Sequence, residues 1–168
     1  DRTLEPALAE RPLEGFKLID PACGSGHFVL GAFTRLLDRW HRHAPGLEPR
    51  VRVQKALDSV WGVDINPFAI AIARFRLLLA ALDAVGARSF EGAPDFEIHL
   101  LAGDSLYFAN DPHQQSLVPH ASFAFSAEDA SALEAALALG TYDAVVANPP
   151  YITVKDAKLN AAYRERYN

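Results

Sequence analysis

The sequence predicts a doubly wound α/β fold with a mostly parallel sheet, and three observations support this fold class. Four short apolar runs, typical of strands, alternate with segments of helical periodicity. Each run is almost continuously apolar, as in parallel strands that are buried on both faces. A polar motif follows each run directly, and folds of this class bind ligands at the carboxyl ends of their strands. One domain accounts for the 168 residues.

The strands are predicted at runs rich in apolar and β-branched residues, each bounded by glycine, proline or a polar residue. They cover residues 16–20, 60–64, 96–102 and 142–147. The polar, proline-bearing stretch 109–121 has no apolar period, so we expect a loop or insertion there. We expect a short extended segment at residues 122–125.

Helical periodicity falls before and between these strands. The predicted helices cover residues 3–10, 27–44, 67–85 and 127–139, and residues 51–57 add a short helical turn. The helix at 67–85 has the clearest start, because Asn66 can cap its first turn while Pro67 takes the first helical position, where a missing N–H is tolerated. This helix is apolar over most of its circumference, so we expect it to pack against the sheet and not to lie on the surface.

Composition excludes several classes of protein. The longest apolar stretch, residues 77–82, is too short to cross a membrane, and no signal-peptide pattern begins the chain, so we expect a cytoplasmic protein. The single cysteine, Cys23, cannot form an internal disulfide, and the six histidines lack partners at ligand spacing, which predicts no metal. A net charge of −5 suggests that, if the protein binds nucleic acid, most of that binding would lie outside this chain, since phosphate contacts need Lys and Arg.

Gly24 and Gly26 form a tight loop between the first strand and the following helix. Glycine lets a ligand approach the backbone, and the helix N-terminus attracts a carboxylate or phosphate. A nicotinamide dehydrogenase is a minority alternative, because Val29 replaces the third glycine of its fingerprint and the acid at Asp64 lies 38 residues after Gly26 instead of about twenty. Asp64 suits the ribose hydroxyls of any adenosine cofactor.

The third and fourth strands also end in polar motifs. Asp104 could accept a hydrogen bond from an adenine amino group, with Ser105 beside it, and a capped turn is an equally good structural interpretation. The sharpest signal is the segment 148–151, whose two prolines stiffen it and push the preceding residues into extended geometry. Its amide oxygen, its proline carbonyl and its aromatic face are the groups that hold an extruded base by the amino group and by stacking.

The motifs occur in a fixed order along the chain. They are Asp20-Pro21-Ala22-Cys23-Gly24-Ser25-Gly26-His27-Phe28, Val63-Asp64-Ile65-Asn66-Pro67, Gly103-Asp104-Ser105-Leu106 and Asn148-Pro149-Pro150-Tyr151. Together they resemble the motifs of the N6-adenine-specific DNA methyltransferases. Residues 65–76 and 151–156 further resemble the adenine-specific methyltransferase of BREX and phage-growth-limitation defence systems. The resemblance implies a Rossmann-like S-adenosylmethionine-dependent methyltransferase fold, truncated after the fourth strand, with residues 1–168 as the catalytic core of a larger protein.

The resemblance also implies a cofactor pocket for S-adenosylmethionine. Asp64 would hold the ribose, Ile65 would pack on the adenine ring, and Asp104 with Ser105 would bind the adenine amino group. The residues implied around the methionine part are Asp20, Ala22, Cys23, Gly24, Gly26 and Phe28. Because Cys23 lies in this loop and not beside the segment 148–151, it is rejected as a nucleophile of the cytosine-C5 type.

The implied reaction is transfer of a methyl group to the N6 amino group of adenine in DNA. Asn148 and the Pro149 carbonyl would accept both N6 hydrogens, Pro150 would stiffen the segment, and Tyr151 would stack on the base. The implied partners are double-stranded DNA with a flipped adenine and other recognition or defence-system subunits. The implied setting is a phage-defence or restriction-modification system.

Two other functions fit parts of the pattern. An Asn-Pro-Pro-Tyr segment also suits the planar amide of a protein glutamine or an RNA base, and a cofactor-binding module without catalysis could leave recognition to a partner. The pocket-completing motif of the family is not visible before Phe16, and its target-recognition region is absent after Asn168. We therefore expect weak or undetectable catalysis by this chain alone.

Overall fold

A computed structural model describes residues 12–106, 130–138, 140–148, 160–161 and 164 of the chain. The strands are β1 (Leu18–Asp20), β2 (Val60–Asp64), β3 (His99–Ala102) and β4 (Ala144–Val145). They form one sheet in the order β3-β2-β1-β4, in which every pair of neighbouring strands is parallel. The predicted α/β class and its parallel sheet are confirmed.

The described helices lie between these strands in sequence. They are α1 (His27–His43), α2 (Pro49–Asp58), α3 (Pro67–Ala84) and α4 (Ala130–Ala136). The predicted starts of α1 and α3 are confirmed, and Asn66 caps α3 by accepting hydrogen bonds from the backbone N–H groups of Phe68 and Ala69. The predicted helix at 3–10, the loop at 109–121, the extended segment at 122–125 and the start of the helix predicted at 127–139 lie outside the described residues.

Helix α2 is longer than the short turn predicted at residues 51–57. It has ten residues and begins at Pro49, which suits a first helical position because proline lacks only a donor that would be unpaired there. Its buried face carries Val53, Ala56 and Leu57, which join the same apolar core as α1. Tertiary packing therefore extends a helix whose own periodicity is weak.

Three strands are shorter than their apolar runs. Phe16 is buried but its backbone N–H donates to Leu13 O in a turn, so β1 begins two residues later than predicted. The backbone N–H of Glu97 donates to the Gln54 side chain instead of to a strand, and β3 begins at His99. An apolar run indicates which residues are buried. Because buried residues extend beyond those that hydrogen-bond to a neighbouring strand, the run overestimates the length of the strand.

Both faces of the sheet are covered, as the doubly wound prediction requires. Helices α1, α2 and α3 pack on one face around a core that includes Leu18, Phe33, Trp40, Val60, Leu77 and Leu100. Helix α4 packs on the other face through Leu133, which contacts a smaller cluster with Ile19 and Val63. Alternate residues of β1 and β2 thus point to opposite cores.

The expectation that α3 packs against the sheet is confirmed, but the expectation that it does not lie on the surface is wrong for its outer face. Its inner stripe, with Ile70, Ala73 and Leu77, is buried against the sheet and α1. Its outer stripe is exposed and consists of Phe68, Ile72, Phe75 and Leu79. A single helix can bury only the side that faces the sheet, whatever its other side carries. No helix in the described part of the chain combines the length and hydropathy of a membrane span.

Candidate active site

The segments that follow the four strands emerge at one rim of the sheet. The register pairs Asp64 with Ala102 across β2 and β3, and Ile19 with Val145 across β1 and β4. Along the rim the segments therefore follow the order 103–106, 65–66, 21–26 and 146–148. Neighbouring strands lie about 4.8 Å apart, so the tips of β3 and β4 are roughly 14 Å from each other.

Strand β1 lies between β2 and β4, which makes the tip of β1 the point where strand order reverses. Crossovers leave such a point in opposite directions and open a crevice between the loops on either side. The glycine loop follows β1, and Asn148 follows β4 on the other side of this point. Val146 N–H donates to Ile19 O at 2.9 Å, so the segment that leads to Asn148 leaves the sheet at the same rim as the glycine loop, on the neighbouring strand.

The glycine loop has a backbone that glycine alone accommodates at two positions. Gly24 has φ +53° and Gly26 has φ +84°, both in the left-handed region. A Cβ on Gly26 would also lie 2.8 Å from the Cβ of Ala73, which is closer than side chains approach. The loop therefore packs directly on α3 at Gly26.

Asp64 connects the tip of β2 to this loop. Its Oδ2 accepts a hydrogen bond from the backbone N–H of Gly24 at 2.8 Å, and its Oδ1 accepts one from Asn66 N–H at 2.8 Å. Each carboxylate oxygen has a further lone pair, so both can also accept from a ligand hydroxyl. The side chain is half-buried at the rim, where a ribose would reach it.

Asp20 lies beneath the loop and is only 1% exposed. Its Oδ1 accepts a hydrogen bond from Ala22 N–H at 3.1 Å, whereas its Oδ2 is buried and has no hydrogen-bond partner in the described part of the chain. Burial raises the pKa of Asp20 to about 6, against the lowering effect of Ala22 N–H, and the charge of Asp64 raises it further. A cationic ligand would supply a partner for Asp20 Oδ2 and would reduce the repulsion between the carboxylates of Asp20 and Asp64.

The start of α1 is a second place for a charged group. Gly26 is the N-cap residue, and no side chain caps the helix. Backbone N–H groups at such an end, with the helix dipole, favour a carboxylate. Phe28 and Ile65, both predicted cofactor contacts, are 51% and 50% exposed, so their apolar surface is open to a ligand.

Cys23 is buried in the loop and is not activated. Burial raises the pKa of its thiol to about 12, and the negative charges of Asp20 and Asp64 raise it further. The thiol is therefore protonated at neutral pH, which agrees with its rejection as a nucleophile. Within the described residues, no three His, Cys, Asp or Glu side chains group as metal ligands.

Asp104 and Ser105 follow β3 and are half-buried. Asp104 Oδ1 accepts a hydrogen bond from Leu106 N–H at 2.9 Å, so the capped turn considered as the structural interpretation is present. The backbone N–H of Gly103 donates to Asp64 O at 2.9 Å and ties this turn to β2. The predicted role of Asp104 in adenine binding is compatible with this turn, because its carboxylate has further lone pairs.

Asn148 is exposed at the rim. The residues predicted to act with it, Pro149, Pro150 and Tyr151, lie outside the described residues.

One further residue at this site was assigned no role from the sequence. Arg76, on α3, donates a hydrogen bond from Nη1 to the carbonyl of Ser25 in the glycine loop, at 2.8 Å. The sequence signals were weak: Arg76 is one of three charged residues in a mostly apolar helix, and it lies within the stretch 65–76 that resembles the defence-system methyltransferase.

Comparison with known proteins places the chain in a family. Residues 58–168, more than half of the chain, match the family described as Eco57I restriction-modification methylase. The adenine-specific methyltransferase PglX of Streptomyces coelicolor is 51% identical over 178 aligned residues, which cover 99% of this chain and 15% of that protein. A putative type II restriction enzyme and methyltransferase of Methanocaldococcus jannaschii is 31% identical over 103 residues, which cover 56% of this chain and 9% of that protein.

A solved structure has a similar fold. It is a nuclease-deletion mutant of the Type ISP restriction-modification enzyme LlaGI in complex with a DNA substrate mimic, and it aligns with a TM-score of 0.50 at 13% identity. The alignment covers 81% of this chain and 10% of that one. The chain thus spans a small part of each of these three proteins, between 9% and 15% of their lengths. It belongs to the Eco57I restriction-modification methylase family.

Proposed function

We propose that the full-length protein is a site-specific DNA methyltransferase that transfers a methyl group from S-adenosylmethionine to the N6 amino group of adenine. The family is one of restriction-modification methylases, and the Streptomyces coelicolor relative is named an adenine-specific methyltransferase. The observation that carries the proposal is the direct pairing of β1 with β4, because the glycine loop and the segment that leads to Asn148 then leave neighbouring strands at the same rim.

The residues at the rim fit the proposed cofactor. The buried, unpartnered Oδ2 of Asp20 and the half-buried carboxylate of Asp64 give the site negative charge, which suits a ligand carrying an ammonium and a sulfonium. Asp64 would accept from the ribose hydroxyls, and exposed Ile65 would cover one face of the adenine. The uncapped start of α1 would receive the methionine carboxylate.

The distance along the rim from Asp104 to the glycine loop also fits the length of the proposed cofactor. Asp104 lies at the β3 end and the glycine loop at the β1 end, two strand spacings apart, or roughly 10 Å. An extended nucleoside joined to an amino acid is of this length. Its reactive centre would then lie towards β4, which is the side of Asn148.

The protein would act mainly by orienting the target. When bound, S-adenosylmethionine supplies a methyl group on a positively charged sulfur, so no residue has to form a covalent intermediate. The lone pair of an adenine amino group is delocalised into the ring and is poorly nucleophilic. Asn148 and the Pro149 carbonyl, by accepting the two amino hydrogens, would favour a more tetrahedral nitrogen whose lone pair faces the methyl group.

Adenine inside a duplex cannot reach such a site, so the proposed substrate is double-stranded DNA with the target base flipped out. With a net charge of −5, the chain would depend on other regions of the protein or on other subunits for phosphate contacts. We assign the enzyme to a restriction-modification or phage-defence system in the cytoplasm, where its DNA substrate lies.

Modified-base mapping tests the proposal. DNA from cells that carry the full-length protein should contain N6-methyladenine at one recognition sequence, and DNA from cells with the Asn148→Ala variant at equal protein level should lack it. If the wild-type cells show no such base while a protein glutamine or an RNA base is methylated, the DNA assignment fails.

A further inference from the structure

The hydrogen bond from Arg76 to Ser25 joins two segments that are 51 residues apart in sequence. Arg76 is half-buried on the side of α3 next to the glycine loop. Its guanidinium binds a backbone carbonyl, so the interaction does not depend on the side chain of Ser25. A charged donor makes this kind of hydrogen bond stronger than one between two neutral groups.

The peptide group between Ser25 and Gly26 is held at both of its ends. Its carbonyl oxygen accepts from Arg76 at 2.8 Å, and its N–H donates to Cys23 O at 2.9 Å. Gly26, the next residue, contacts Ala73, which lies one turn before Arg76 on α3. Helix α3 therefore fixes the loop at two adjacent points.

These contacts complete a set of three side-chain ties on the loop, beside the backbone bond from Cys23 N–H to Val63 O. Asp20, at the end of β1, binds Ala22 N–H, and Asp64, at the end of β2, binds Gly24 N–H. Arg76 holds the last carbonyl before Gly26, which is the N-cap of α1. The direction of this peptide sets where the first N–H groups of α1 point, and those groups are the proposed carboxylate site.

We infer that Arg76 is a positioning residue for the cofactor, which holds the Ser25–Gly26 peptide so that the start of α1 is preorganised for the methionine carboxylate. The identity of the ligand rests on the proposed function. Arg76 contacts the loop at the Ser25 carbonyl and acts through it, so it controls cofactor affinity and not the methyl-transfer step. A loop that must be ordered on binding weakens affinity, because the free-energy cost of ordering the loop offsets part of the favourable interaction with the ligand.

The test compares Arg76→Gln and Arg76→Lys with Arg42→Gln in the full-length protein. Arg42 is an arginine of α1 whose side chain is 73% exposed and whose charged partner is Asp38, so its loss leaves the loop untouched. Arg76→Gln should raise the Kd of S-adenosylmethionine about tenfold, the effect of one charged hydrogen bond. The single-turnover methylation rate at saturating cofactor should stay within about threefold of the wild type, and Arg76→Lys should recover part of the affinity, because lysine keeps a cationic donor.

Cys23 gives an independent readout without cofactor or DNA. It is the single cysteine of this chain and is buried in the loop, so its alkylation by iodoacetamide, followed by mass spectrometry of its peptide, reports opening of the loop. Arg76→Gln should speed this alkylation about tenfold in the ligand-free protein, whereas Arg42→Gln should not change it. A circular-dichroism melt identifies any variant that has lost its fold, and Arg76→Lys then serves as the test variant.

The outcomes separate this inference from the proposed function. If the wild type methylates DNA while Arg76→Gln leaves both the Kd and Cys23 alkylation unchanged, the positioning role is wrong and the function stands. A lower rate at saturating cofactor with an unchanged Kd would also overturn the role, because Arg76 would then act on the chemical step. If the wild type binds no S-adenosylmethionine, the proposed function fails and the cofactor role of Arg76 fails with it. Faster Cys23 alkylation in Arg76→Gln would then show only that Arg76 stabilises the loop.

Discussion

Asp64 Oδ2 accepts a 2.8 Å hydrogen bond from the backbone N–H of Gly24, a residue 40 positions earlier in the chain. This bond joins the tip of β2 to the loop after β1, so the two segments that would bind the ribose and the methionine part of the cofactor are one connected unit. The second oxygen of the same carboxylate binds Asn66 N–H and orders the turn into α3. Asp64 is therefore both a supporting residue and a candidate ligand.

The supporting role predicts a loss of stability in Asp64→Asn. The amide keeps one oxygen for one N–H but turns an NH₂ group towards the other, which leaves a backbone donor unpaired. We expect the free energy of unfolding to fall by about 1–3 kcal/mol, the usual effect of an unsatisfied, partly buried donor. Urea unfolding of the 168-residue chain measures this, with Asp83→Asn on the exposed end of α3 as the control. Equal stability of the two variants would contradict the supporting role.

The close contact between the loop and α3 predicts opposite effects of one substitution at two glycines. Gly26→Ala forces alanine to φ +84° and places its Cβ 2.8 Å from that of Ala73, so we expect a loss of about 1–3 kcal/mol. Gly31→Ala, inside α1 with nothing within 4 Å of the new Cβ, should stabilise by about 0.5–1 kcal/mol. Thermal or urea unfolding of both variants checks the signs, and a gain of stability in Gly26→Ala would refute this packing.

Asp20 predicts a specific pH dependence of stability. Burial raises its pKa from 3.8 to about 6, so between these values the folded state binds more protons than the unfolded state. The contribution of this carboxyl to stability is therefore present below about pH 4 and is lost as the pH rises through 6, by roughly 3 kcal/mol. Asp20→Asn lacks this loss, so its stability relative to the wild type should increase from pH 4 to pH 7. A pH-independent difference in urea unfolding would contradict the raised pKa.

The same residue predicts how cofactor affinity changes with pH. An ionised Asp20 attracts a cationic ligand and a protonated one does not, so the affinity for S-adenosylmethionine should rise as the pH increases through about 6. Asp20→Asn should bind more weakly at pH 7 and show little change across this range. Calorimetric titration from pH 5 to 7.5 measures both curves. If affinity changes with pH in the same way in the wild type and in Asp20→Asn, the charge of Asp20 does not contribute to cofactor binding.

Parts of this architecture follow from local sequence signals. The bounds of β2 and the start of α3 were predicted correctly, because Asp64, Asn66 and Pro67 combine a strand end with a capped helix start. The exposed stripe on α3 was not predicted. Periodicity identifies the apolar positions of a helix but not how many of its faces pack against the rest of the protein.

Long-range contacts of the candidate site could not be predicted from the chain alone. The sequence motifs placed Asp64 at a strand tip, but not the engagement of both its oxygens by backbone N–H groups. Arg76 lies in the stretch 65–76 that resembles the defence-system methyltransferase, but that resemblance did not indicate its contact, because its partner is a backbone carbonyl that any residue at position 25 would supply. Such contacts depend on the packing of α3 against the loop, which only the three-dimensional structure contains.

The central claim is that one rim holds the cofactor by the glycine loop and the target amine by Asn148. The most direct test is to measure the Kd of S-adenosylmethionine and the single-turnover methylation rate for Asn148→Ala and Asp64→Ala in the full-length enzyme. We predict that Asn148→Ala lowers the rate by about 10² to 10³ with nearly unchanged cofactor affinity, and that Asp64→Ala weakens cofactor binding by roughly 1.5–3 kcal/mol with a smaller effect on the saturated rate. An unchanged rate in Asn148→Ala, or equal losses of affinity in both variants, would contradict the claim.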